Sequence, residues 1–241
     1  MNANKKAALV VSAHSADFVW RAGGAIALHA ENGYDITVVC LSFGERGESA
    51  KLWKQPGMTL DKVKASRREE AERAAGVLGV HDIQFWDMGD YPMVIAQEHL
   101  FRLTDLFRKV RPLFVLSHSA KDPYNFDHPA ATDLTLNARI VAQAHGHNPT
   151  ETVLGAPPVF LYEPHQPEQC NWTPSTLLDI TPVWEKKRAA IECMTGQEHI
   201  WEYYTRVALQ RGAQAARNSD SKITYGEGYQ NVYPHVVAAL A

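Results

Sequence analysis

The chain has 241 residues, 45% hydrophobic and 21% charged, with 24 Lys and Arg against 27 Asp and Glu for a formal net charge of −3. Length and composition are those of a globular protein with a sizeable core, and they exclude disordered, collagen-like and coiled-coil classes. The charge balance lacks the basic excess of a nucleic-acid binder, and no stretch approaches the roughly 20 apolar residues that span a bilayer.

Apolar runs rich in Val and Ile at Ala7–Ala13 and Asp35–Ser42 read as strands buried on both faces. Between them, Phe18–Asn32 reads as a helix ending near Gly33, a residue suited to the left-handed conformation that closes helices. Asp61–Leu78 is a charged, Ala-rich helix with Gly79 as its stop. Strand Ile83–Trp86, helix Gln97–Val110 and strand Leu113–Ser117 follow, and then a loop with Asp122 and Pro123 leads into a helix from about Pro129 to Ala144. This alternation predicts an α/β fold, a doubly wound, mostly parallel sheet with helices on both faces. Further on, Pro157–Glu163 reads as a strand, Pro182–Arg211 as a long helical stretch and Ser219–Gly228 as a loop. No repeat or linker is visible, so residues 1–241 are expected to form a single domain, less regular from about residue 155 onward. Cys40, Cys170 and Cys193 are widely spaced and form no C-x-x-C pair, which points away from a disulfide framework and toward the reducing cytoplasm.

In open α/β sheets, ligands bind past the carboxyl ends of the strands. The first such turn, Ser12-Ala-His-Ser-Ala-Asp17, lacks G-x-G-x-x-G and so disfavours a dinucleotide. It offers instead an imidazole, His14, and a carboxylate, Asp17, close enough to converge on one metal ion. The plainer alternative makes His14 a partner of a loop carbonyl and Asp17 a helix cap. Past the fourth strand, His118, Asp122, Asp127 and His128 crowd into one loop. His14, Asp17 and His128 together make a His/Asp/His set with an open fourth position, the pattern of a catalytic zinc site. Asp122 or Asp127 then serves to orient a ligating imidazole, and His118 is a neighbouring or structural histidine.

These residues resemble the PIG-L/LmbE-like zinc deacetylase family, which carries A-H-P-D-D-E after its first strand and H-P-D-H before a later helix. Here the motifs stand as Ala13-His-Ser-Ala-Asp17, followed by Gly23-Gly24, and as Asn125-Phe-Asp-His128. Arg67-Arg-Glu-Glu70 and Tyr225-Gly-Glu-Gly-Tyr229 resemble two further family segments. The resemblance implies the metal ligands His14, Asp17 and His128, with one Zn²⁺ per chain or another divalent ion in its place. Two positions depart from the pattern. The family's general base is Ala16 here, and the histidine that helps stabilise its oxyanion is Asn125. A lost base typically costs about 10²–10⁴ in rate, which points to a changed reaction.

Long unbroken runs, among them Gly44-Glu-Arg-Gly-Glu-Ser49 and Tyr162-Glu-Pro-His-Gln-Pro-Glu-Gln-Cys170, resemble the hydratase branch of this superfamily, whose members act on 4-oxalomesaconate in bacterial gallate breakdown. That branch implies addition of water to a double bond, giving 4-carboxy-4-hydroxy-2-oxoadipate, with its catalytic carboxylate in the loop holding Glu48. Glu48 is the expected base, with Glu45 as competitor. His165, beyond a strand end, is the expected acid or substrate contact, since imidazole titrates near working pH. The expected partner is a small polycarboxylate, with neither nucleic acid nor membrane, and the chain is expected to form a homo-oligomer. Carboxylates call for cations. Arg46, Arg67, Lys121 and Arg206 are the candidates by motif position, with Asn125 as a hydrogen-bond donor. The alternative activity is zinc-dependent N-deacetylation of an acetylated amino sugar or related amide.

Overall fold

Alternate side chains of the first strand, β1 (Ala7–Ser12), feed two different cores, Ala8 and Val10 one and Leu9 and Val11 the other, as the two-residue period of a strand requires. The computed structural model describes residues 6–234 and 236. Within them β1 pairs in parallel with β2 (Asp35–Cys40) on one side and β4 (Phe114–Ser117) on the other; β3 (Asp82–Phe85) extends β2, and β5 (Val159–Tyr162) extends β4, all parallel. The order is β3-β2-β1-β4-β5-β7-β6, and β7 (Gly226–Asn231) runs antiparallel to both β5 and β6 (Thr176–Asp179). The sheet is therefore the expected mostly parallel, doubly wound one, closed by an antiparallel pair that the sequence reading did not contain.

Helices cover both faces. α1 (Asp17–Glu31), α3 (Leu60–Leu78), α6 (Trp184–Glu192) and α7 (Trp201–Arg217) pack on the Ala8/Val10 side, and α4 (Gln97–Val110) and α5 (Asp127–Ala142) on the other. A short α2 (Ala50–Trp53) follows the β2 loop. Helix α3 starts where Thr59 accepts the Lys62 N–H and ends at Gly79 with φ of 82°, the left-handed stop expected there.

Two expectations fail in the C-terminal third. Pro182–Arg211 is not one helix: it contains α6, a 3₁₀ turn at Thr195–Ile200 and most of α7, with Gln197 at φ −131° and ψ 35° breaking the path. Here the Gly196 N–H goes to the Glu70 carboxylate and the Gln197 side chain accepts from Arg67, so tertiary hydrogen bonds override helix periodicity. Ser219–Gly228 is not all loop, because β7 begins at Gly226.

Candidate active site

The chain leaves β1 toward β2 but reaches β5 from β4, so the crevice between the carboxyl ends of β1 and β4 is the switch point of the sheet. His14 and Asp17 follow β1, Glu48 follows β2, and His118 to His128 follow β4; all these segments meet there. One ligand atom from each of His14, Asp17, Glu48 and His128 lies within 4.8 Å of the others. His14 Nδ1 stands 3.1 Å from Asp17 Oδ2 and 3.2 Å from Glu48 Oε1, and His128 Nε2 stands 3.6 Å from Asp17 Oδ1.

The outer nitrogen of each imidazole is held by a carboxylate. His14 Nε2 lies 3.2 Å from Asp127 Oδ2, and His128 Nδ1 lies 2.8 Å from Asp122 Oδ2. Donation outward turns the lone pairs of His14 Nδ1 and His128 Nε2 into the shared space. His128 Nε2 is buried without a hydrogen-bond partner among the described residues, an orphan that a metal ion would satisfy. Burial works to lower the His14 pKa, but the Glu48 charge, the hydrogen bonds to Asp127 and Asp17 and the Asp17 charge outweigh it and hold the imidazole well above its ordinary value. Burial alone would raise Asp17, yet the histidines His128, His118 and His14 bring it well below the usual carboxylate range. The cluster is thus built to receive a cation. Two imidazoles and carboxylate oxygens fit a divalent ion such as zinc. His118 takes the structural role: its Nε2 accepts the Ala13 N–H at 2.8 Å and its ring stacks 4.2 Å from that of His128.

Ala16 is fully buried and brings only a methyl group to the turn. Glu48 brings the extra carboxylate from the β2 loop. Gly44 lies in the left-handed region at φ 67°, and a side chain at Gly47 would meet the Tyr91 ring at 2.2 Å, so both glycines are needed to bring the loop in. Asp90 fastens this loop by accepting the Arg46 and Gly47 N–H groups at 2.9 and 2.8 Å. The next residues, Tyr91 and Met93, donate their N–H groups to Asp127 at 3.0 and 2.8 Å. Glu48 stays an anion: burial raises its pKa, but His14 brings it below the ordinary value. Asn125 Nδ2 reaches Glu48 Oε1 at 3.5 Å. Glu45, the competitor, is turned under the loop, where it accepts the Phe43 N–H and lies 4.0 Å from Lys64 Nζ.

His165 lines the cleft together with Glu48, Asn125 and His128. Its ring stacks 4.1 Å from that of Tyr203, and burial brings its pKa below 6.5. None of the four cations expected to meet substrate lines this cleft. Arg67 is fully buried and spent on Glu70 at 2.6 Å, Gln197 at 2.7 Å and the Phe43 carbonyl. Arg46 is exposed and donates to the Asp90 carbonyl at 2.7 Å. Lys121 is exposed outside the lining, and Arg206 lines a neighbouring cavity on the far side of His165. The lining contains instead Arg21, Gln197, His199 and Tyr204, which the sequence reading missed. Arg21 alone had a legible signal: it stands four residues after Asp17, hence on the same helix face.

The family model described as PIG-L, GlcNAc-PI de-N-acetylase, matches residues 9–139. The chain is 65% identical to a 4-oxalmesaconate hydratase from Pseudomonas putida KT2440, over 100% of this chain and 95% of that protein. The crystal structure of the 4-carboxy-2-hydroxymuconate hydratase of that organism superposes with a TM-score of 0.96 at 65% identity, covering 98% of this chain and 100% of the other. Identity to a diacetylchitobiose deacetylase from Thermococcus kodakarensis is 27%, over 94% of this chain and 83% of that protein. An N,N'-diacetylchitobiose deacetylase structure from Pyrococcus horikoshii shares the fold, with a TM-score of 0.79 at 24% identity over 95% of this chain and 84% of that one.

Proposed function

The chain belongs to the PIG-L family, and from that premise we propose that it is a metal-dependent hydratase, a carbon–oxygen lyase. It adds water to the double bond of 4-oxalomesaconate to give 4-carboxy-4-hydroxy-2-oxoadipate in the breakdown of gallate. The observation that carries this reading is the full-length likeness to a hydratase, 65% identical from end to end. The exchange of carboxylates supports it: position 16 has no base to offer, and Glu48 extends toward the same cluster from another loop.

Hydration forms one C–O bond to an alkene carbon and places a proton on its neighbour, so the site must take a proton from water and deliver one to carbon. His14, Asp17 and His128 would hold a divalent ion, zinc in this reading, which would supply Lewis acidity at the site. Glu48, anionic and beside that site, takes the proton from water. Asn125 donates to Glu48 and keeps its carboxylate aimed. His165, on the Tyr203 side of the cleft, contacts the substrate and moves a proton to its carbon. Asp127 and Asp122 keep the two ligating rings in their tautomers.

Glu48→Gln tests the assignment. Hydration of 4-oxalomesaconate, followed as loss of conjugated absorbance, is expected to fall about 10²–10⁴-fold at unchanged zinc content. Wild-type turnover in this variant removes Glu48 from the mechanism. Acetate release from an N-acetylated sugar by the wild type, without hydration, replaces the reading with amide hydrolysis.

A further inference from the structure

Three carboxylates, those of Asp17, Glu48 and Asp122, line the cleft. A polycarboxylate entering this space faces these carboxylates, which costs free energy wherever neither the bound ion nor a fixed cation of the chain offsets them. Among the described residues lining the cleft, Arg21 is the single permanent cation. It is 8% exposed, beneath the cleft on α1. The backbone carbonyl of Glu163 holds its Nη1 at 2.8 Å, and Asp17 Oδ1 lies 3.4 Å from Nε. Nη2 has no hydrogen-bond partner among the described residues, so a buried and oriented guanidinium keeps one edge unspent.

Resting on the hydratase reading, we propose that Arg21 is the specificity-determining residue for polyanionic substrates and binds one substrate carboxylate through its Nη2 edge. A planar guanidinium fixed at its other nitrogens gives a charge-assisted hydrogen bond at little entropic cost. A neutral amide sugar gains nothing from it and leaves the buried charge poorly solvated.

The test uses the zinc-loaded full chain and two probes. Tricarballylate carries three carboxylates, and acetohydroxamic acid is an uncharged ligand directed at the metal. Arg21→Gln is expected to weaken tricarballylate about ten- to a hundredfold by calorimetry, the range of one hydrogen bond to a charged group. Acetohydroxamate binding and zinc content stay within twofold. With 4-oxalomesaconate the same variant raises KM more than it lowers kcat. Unchanged tricarballylate affinity overturns the proposal. So does equal weakening of both probes with loss of zinc, which makes Arg21 a positioning residue for Asp17. Should Arg21→Gln fail to fold, Arg21→Lys is read in the same way: at least threefold weaker tricarballylate with acetohydroxamate unchanged supports the proposal, and wild-type affinity for tricarballylate overturns it. Failure of the wild type to hydrate 4-oxalomesaconate defeats the functional reading alone, because the two binding measurements still decide the role of Arg21.

Discussion

At the scale of single residues, the carboxylates behind the imidazoles do as much as the imidazoles themselves. Asp122 and Asp127 each occupy the outer nitrogen of one ring, at 2.8 and 3.2 Å, and so turn its lone pair inward. Asp122→Asn and Asp127→Asn are each expected to lower zinc affinity about 10- to 100-fold, measured by competition with a chelator of known affinity. Unchanged affinity in both variants shows that packing alone orients the rings. That His14, Asp17 and His128 come together was legible in the sequence, because His14 and Asp17 follow a recognisable strand and His128 stands at the start of a helix. Which cation lines the cleft was not, because position in a motif says nothing about which way a guanidinium points. Arg67 faces inward to Glu70 and Gln197, partners 3 and 130 residues away in sequence, and only the second of these needs the tertiary fold.

At the scale of elements, β7 and α1 are joined by one buried carboxylate. Glu227 accepts the N–H groups of Gly24 and Ala25 at 2.7 and 2.8 Å, the Lys187 ammonium at 2.6 Å and the Tyr229 hydroxyl at 2.5 Å. Glu227→Ala leaves the buried Lys187 ammonium without its carboxylate and the Tyr229 hydroxyl without its acceptor, and is expected to cost about 3–5 kcal/mol in chemical denaturation. A loss under 1 kcal/mol would make the junction incidental. This part of the fold was hard to read in advance. Two glycines in Gly226–Asn231 hide the strand pattern, and β6 is four residues long. Apart from the short α2, which the sequence reading lacked, the strands and helices through Ala142 were legible because their apolar periods agree with the burial they serve; the boundaries shift by a few residues at most. The break at Gln197 was not, since nothing local signals a bond to Arg67.

At the scale of the whole molecule, two loops from β1 and β4 and a third from β2 meet on one cluster of possible metal ligands, so an ion there would link segments far apart in sequence. A ligand bound by the native state alone stabilises it by RT ln(1 + [L]/Kd), about 2.7 kcal/mol at a hundredfold excess over Kd. Stripping the metal with a chelator is expected to lower the unfolding temperature, and zinc to restore it in proportion to the logarithm of its free concentration. Equal melting with and without zinc would separate the cluster from ion binding. Asp127 grips both His14 and the Tyr91–Met93 backbone, while neighbouring Asp90 grips the loop that carries Glu48. Glu48 and His14 therefore hang from a single closed truss, although they follow different strands. Chemistry on such a frame can be rewritten by exchanging what one loop carries, with the ion's own supports left in place.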